Sequence, residues 1–142
     1  MSVMMSSKLQ YKTTLRIVAE GRAFGPGVAM VLQGVRTYGS LAGAAKQMHM
    51  SYSKAWTIIK GAEQIWGFPL TRRHAGGKMG GSSTLTPQAE QILSRYEVMQ
   101  EAIDKVAKER FDAFFNEEEL EKMKNMKNMT ADDTAGERDA QK

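Results

Sequence analysis

The stretch GSLAGAAKQMHMSYSKAW, residues 39–56, constrains this chain more than any other. It predicts a helix, a three-residue turn and a second helix. Ser40 is placed to cap the first helix, because its hydroxyl can accept a backbone N–H that a helix start leaves unpaired. Leu41, Ala44, Ala45 and Met48 recur at helical spacing and give that helix one apolar face. Ala44 and Ala45 are small enough for another helix to cross at close range. His49 and Met50 form the turn, and Ser51 caps again. In the second helix Ala55, Ile58, Ile59, Ala62 and Ile65 turn inward. Ser53, Thr57, Lys60 and Gln64 lie on the opposite side, with Lys54 and Trp56 on its flanks. Two short helices, the second with a polar and cationic outer face, are the arrangement that sets a recognition helix in the DNA major groove.

Charge sharpens that expectation. The 142-residue chain has a net charge of +4, unevenly spread. Residues 1–86 hold 11 Lys and Arg against 2 acids, Glu20 and Glu63, a net of +9; residues 87–142 hold 9 against 14, a net of −5. A first half so poor in acids has the electrostatic footprint of a polyanion binder. There is no cysteine, so neither a disulfide frame nor a thiolate metal site is expected. No apolar run has transmembrane length, and MSVMMSSKLQ at the N-terminus lacks the apolar core of a signal peptide, so a cytoplasmic protein is expected.

The flanking segments complete a mainly α fold with a small β component. Residues 11–20, YKTTLRIVAE, read as a strand, and 21–27 as a turn region in which Pro26 can open a helix. Val28, Val31, Leu32 and Val35 give that helix its buried stripe, and Tyr38-Gly39 ends it. The helix-turn-helix finishes near Trp66-Gly67, with Pro69 beyond as a stop signal. Leu70–Arg73 and Thr84–Thr86 then read as two short antiparallel strands around a loop with Gly76, Gly77, Gly80 and Gly81 and with Lys78 at its tip. A hairpin directly after a recognition helix is a wing, on which Arg72, Arg73, His74 and Lys78 would meet phosphates or the minor groove. The loop is not a nucleotide cradle, because Lys78 is followed by Met79 and no helix starts directly behind it.

Pro87 opens a long helix expected to run to about residue 115. Ile92, Tyr96, Met99, Ile103 and Val106 are spaced 4, 3, 4 and 3 apart, an a/d seam that Arg110 interrupts. A narrow seam needs a partner, and the same helix of a second subunit supplies one; packing on the helix's own domain is the other option. Residues 116–142 are polar and charge-rich, with helix expected to about Lys124 and a disordered tail expected after it. The methionines at 123, 126 and 129 share no metal-ligand spacing with a cysteine or histidine. The three segments expected are therefore 1–86, a DNA-binding domain; 87–115, a dimerisation helix; and 116–142, a charged tail.

GSLAGAAKQMHMSYSKAW followed by TRRHAGGKMGGSSTLT resembles the N-terminal DNA-binding domain of ModE-type molybdenum-responsive regulators, which is similar in turn to the winged helix of LysR-type regulators. The pairs Ser51-Tyr52 and Ala55-Trp56 and the run GGKMGGSSTLT carry the resemblance, which covers roughly residues 11–115. It implies a winged helix-turn-helix whose long helix dimerises. It also implies that the helix bearing Ser51, Tyr52, Ser53, Lys54, Trp56, Thr57 and Lys60, and the wing bearing Arg72, Arg73 and Lys78, touch double-stranded DNA. Molybdate-sensing members carry a further domain for the oxyanion, and about 27 residues follow the long helix here. Molybdate binding is therefore not expected. The leading expectation is a homodimeric DNA-binding transcription regulator without cofactor or metal. The alternative is a winged-helix module that binds protein, against which the cations at 54, 60, 72, 73 and 78 speak. An enzyme is not expected, since His49 and His74 are the only histidines and neither has an acid nearby in sequence.

Overall fold

The computed structural model of the chain describes residues 9–75 and 81–126. The order of elements is β1 (Ile17–Ala19), β2 (Arg22–Phe24), α1 (Pro26–Tyr38), α2 (Leu41–Gln47), α3 (Tyr52–Trp66), β3 (Thr71–His74), β4 (Ser82–Leu85) and α4 (Pro87–Phe114). Each pair of strands is an antiparallel hairpin. This is a winged helix-turn-helix followed by a long helix, as expected, and helix boundaries fall within a residue or two of those read from the sequence.

Residues 14–101 form one compact unit. Its helices start and stop where side-chain chemistry dictates. Pro26 sits in the first turn of α1, where its missing N–H costs nothing. The Ser40 hydroxyl accepts the Gly43 N–H at 2.9 Å, and the Ser51 hydroxyl accepts the Lys54 N–H at 3.0 Å. Gly67 ends α3 in the left-handed region, at φ 82°, where any other residue would be strained. Val31, Leu32 and Val35 of α1, Ala44 and Ala45 of α2, and Ala55, Ile59 and Ala62 of α3 form the core with Phe24, Leu70, Ala89, Leu93 and Tyr96. The small residues have a packing purpose: a Cβ on Gly34 of α1 would lie 2.7 Å from the Ala44 Cβ. The two helices therefore meet nearly backbone to backbone.

Two sequence expectations are corrected. Only Ile17–Ala19 of the 11–20 run is a strand, and its partner is Arg22–Phe24, in the segment read as turn. Ahead of it the backbone of Leu15 finds helix side chains in place of a ladder: its N–H donates to Gln100 Oε1 at 3.2 Å, and its carbonyl accepts the Tyr96 hydroxyl at 2.8 Å. Beyond Asn116 residues 117–126 are helical, close to the reach to about Lys124 read from the sequence. Asn116 explains the new start. Its amide N–H₂ donates to the carbonyls of Asp112 and Ala113, closing α4, while its Oδ1 accepts the Glu119 N–H at 2.9 Å and opens the next turn. Ion pairs Lys122–Glu119 and Lys124–Glu121 support that helix at its surface. The expected tail after 126 lies outside the described residues.

The second correction concerns the seam of α4. Tyr96 does not stand on an exposed stripe: it is 6% exposed, packed edge-on against Phe24 at 5.2 Å between ring centroids. Burial pushes its phenol pKa above the usual value, with the Arg16 charge pulling it down, so it remains a hydrogen-bond donor to Leu15. Ala89, Leu93 and Tyr96 are the residues of α4 that enter the core, and Ile92 packs beside them. Met99 and Val106, one heptad apart on the same helix, are half exposed, and Ile103 is partly buried.

The second compact unit comprises residues 1–13 and 102–142. Within its described part, Tyr11 stacks against Phe111 at 4.8 Å and Phe111 against Phe115 at 5.9 Å. The Thr13 hydroxyl donates to Asp104 at 2.7 Å. The Asp112 carboxylate, by hydrogen bond and charge, raises the pKa of Lys108.

Candidate nucleic-acid interface

The outer face of α3 follows from helix geometry. Ala55, Ile59 and Ala62 are buried, so residues about half a turn away must face outward. Tyr52, Ser53, Lys54, Trp56, Thr57, Lys60 and Gln64 are all exposed, as is the cap Ser51. Two rows at four-residue spacing run along this face. One is Tyr52, Trp56 and Lys60; the other is Ser53, Thr57 and Gly61. A Cβ on Gly61 would meet nothing within 4 Å, so the second row is flat and free of bulky groups.

Each polar side chain on this face has a defined local state. The Ser51 hydroxyl is engaged as a cap acceptor. The Thr57 hydroxyl donates to the Ser53 carbonyl at 2.9 Å, which leaves its oxygen lone pairs turned outward as acceptors. The Lys60 ammonium lies 5.5 Å from the centre of the Trp56 ring and 3.2 Å from the Glu63 carboxylate. The other oxygen of Glu63 accepts the Leu70 N–H at 2.8 Å. Sequence reasoning missed that role. The only sequence signal was an acid three residues after Lys60; the reach across the Gly67–Pro69 turn has none.

The wing is built on the same root. Leu70 is fully buried, its carbonyl accepts the Thr86 N–H at 3.0 Å, and the Thr86 hydroxyl donates to the Pro69 carbonyl at 2.8 Å. The Ser83 N–H donates to the Gly39 carbonyl at 2.8 Å, tying β4 to the end of α1. Register pairs Arg72 with Thr84 and Arg73 with Ser83. Strand alternation therefore sends Arg72 and His74 to one face and Arg73 to the other, the face on which Ser83 is buried. Both arginines are exposed. His74 Nε2 is 2.9 Å from the Thr84 hydroxyl, so that ring is anchored to the hairpin. Lys78, Gly76, Gly77 and Gly80 lie outside the described residues.

One cation of the basic half is committed elsewhere. Arg36 pairs with Glu90 of α4, and that hydrogen bond raises its pKa. Among the described residues, no three His, Cys, Asp or Glu side chains are grouped to hold a metal ion, and no helix is long and apolar enough to cross a membrane.

Residues 30–90 match the family model of bacterial regulatory helix-turn-helix proteins of the lysR family. The matched segment runs from Met30 in α1 to Glu90 in the first turn of α4, so it takes in both the outer face of α3 and the wing. Similar proteins include the transcriptional regulator ModE of Haemophilus influenzae, 35% identical over 75 residues, which are 53% of this chain and 29% of that protein. The DNA-binding transcriptional dual regulator ModE of Escherichia coli is 27% identical over 90 residues, 63% of this chain and 33% of that one. The molybdenum-pterin-binding protein MopB of Rhodobacter capsulatus is 27% identical over 86 residues, 61% of this chain and 32% of that one. The chain spans about a third of the length of these curated relatives.

Proposed function

We propose that this chain is a homodimeric DNA-binding transcription regulator. In this reading α3 enters the major groove and the β3–β4 wing lies on the sugar–phosphate backbone. The observation that carries it is the outer face of α3: seven exposed residues, two of them lysines and two aromatic, on a capped helix whose opposite side is locked in the core. A flat row with Thr57 and Gly61 suits close approach to base edges, and the likeness to ModE regulators points the same way. The basic balance of residues 1–86 supplies the long-range attraction.

The two elements serve different purposes. Thr57 is held by its helix and reads base edges; Arg72 and Lys78 meet phosphates, which position the protein without carrying sequence information. Arg72→Ala is expected to weaken binding to all duplexes similarly and to lower the log–log salt slope by up to about 0.9, the value of one phosphate contact. Thr57→Ala is expected to keep the slope and to reduce discrimination between an enriched duplex and a random pool by about tenfold. Fluorescence anisotropy across a salt series measures both. The assignment fails if Arg72→Ala changes sequence preference while Thr57→Ala changes only the slope.

Dimerisation falls to α4, with Met99 and Val106 among its half-exposed apolar groups. Ile92 and Ile103 border them, and Tyr96 serves the chain's own core. Val106→Asp is the clean test, because the site is half open in the single chain and the substitution leaves the domain core intact. Sedimentation should give a dimer for the wild type and a monomer for Val106→Asp. A wild type that is monomeric at micromolar concentration contradicts the dimer.

A further inference from the structure

The geometry points to Glu63 as a positioning residue that holds Lys60 for base readout and off the phosphates. This rests on the DNA-binding reading above. Glu63 is one of only two acids in the first 86 residues, and it sits on the helix meant to face a polyanion. An acid there opposes general DNA affinity, so a specific local role has to compensate.

The contacts supply that role. One carboxylate oxygen accepts the Leu70 N–H at 2.8 Å, which fixes Glu63 to the buried root of the wing; its side chain is only 14% exposed. The other oxygen lies 3.2 Å from Lys60 Nζ. Lys60 is thus held between a carboxylate that cannot swing away and the Trp56 ring, 5.5 Å from its centre. An unrestrained lysine is a flexible point charge that finds the nearest phosphate. Fixed in direction on the outer face of α3, the same ammonium still has N–H bonds to donate and can meet base acceptors in the major groove. Its charge is also already met by Glu63, so it displaces few counterions.

Glu63→Gln separates the two contacts. The amide oxygen can still accept the Leu70 N–H, while the ion pair to Lys60 is lost. On a random-sequence duplex pool, this variant should bind more tightly than wild type, with a salt slope steeper by up to about 0.9 as Lys60 turns to a phosphate. The preference for a duplex enriched from that pool should fall about tenfold. In a Lys60→Ala background, Glu63→Gln should leave that preference unchanged, and this arm excludes a general effect of removing a negative charge. Glu63→Ala, which loses both contacts, should lower the melting temperature, whereas Glu63→Gln should hold it near the wild-type value. Unchanged slope and preference in Glu63→Gln overturn the inference. So does an equal loss of preference with and without Lys60, or a fall in melting temperature matching that of Glu63→Ala. A wild type that binds no duplex overturns the DNA-binding reading itself and this inference with it; duplex binding with a silent Glu63→Gln overturns this inference alone.

Discussion

Phe24→Ala is expected to destabilise the 14–101 unit by about 3–5 kcal/mol, the range for emptying a large aromatic site in a packed core. Phe24 is fully buried at the end of β2 and packs edge-on against Trp66, 5.7 Å away at 70°, and against Tyr96. Those two rings belong to the end of α3 and to α4, so one side chain ties the β1–β2 hairpin to both helices. Each edge-to-face pair adds about 0.5–1.5 kcal/mol beyond its burial. Against a stability of about 5–15 kcal/mol for a typical domain, the loss is a large share. Urea unfolding followed by tryptophan fluorescence should show the midpoint falling sharply at unchanged slope. A loss under about 1 kcal/mol would mean that the site collapses and refills, and that Phe24 is not the tie described here.

The second large effect is a pair of identical substitutions with opposite signs. Gly34→Ala places a methyl 2.7 Å from the Ala44 Cβ and 3.1 Å from its Cα. Neither atom can rotate away, so α1 and α2 must separate, at a cost of about 1–3 kcal/mol that outweighs the better helix propensity of alanine. Gly61→Ala meets nothing within 4 Å and removes a mid-helix glycine, so it should stabilise the fold by about 0.5–1 kcal/mol. Thermal melts of the two variants check the contrast. Two shifts of the same sign would contradict the packing assigned to the helix-turn-helix.

How far the sequence could be read follows from these elements. The helices were legible because their signals are local: apolar residues at helical spacing, Ser40 and Ser51 as caps, Pro26 at a start and Gly67 at an end. The first hairpin was not, because its turn is Glu20-Gly21, with φ of 49° and 80°. A two-residue turn with both φ positive favours Asn or Asp before glycine, and glutamate hides it. The fate of Tyr96 was illegible for a different reason. A heptad of apolar residues says that a side is buried, and it does not say whether the partner is another copy or the chain's own Phe24. The outer face of α3 was readable residue by residue from the period alone. What was not readable was how its charges pair, since the bond from Glu63 to the Leu70 N–H exists only once the chain has turned through Gly67–Pro69.

The central claim is that the basic half of this chain binds duplex DNA by neutralising phosphates. Titrating salt against wild-type binding to a random-sequence duplex pool tests it directly, because every phosphate contact adds about 0.9 to the slope. Affinity should fall linearly on log–log axes with a slope of about −2 or steeper, the mark of two or more phosphates met by wing and helix termini. A flat line, or no binding at low salt, would contradict the claim and leave α3 as a face for a protein partner.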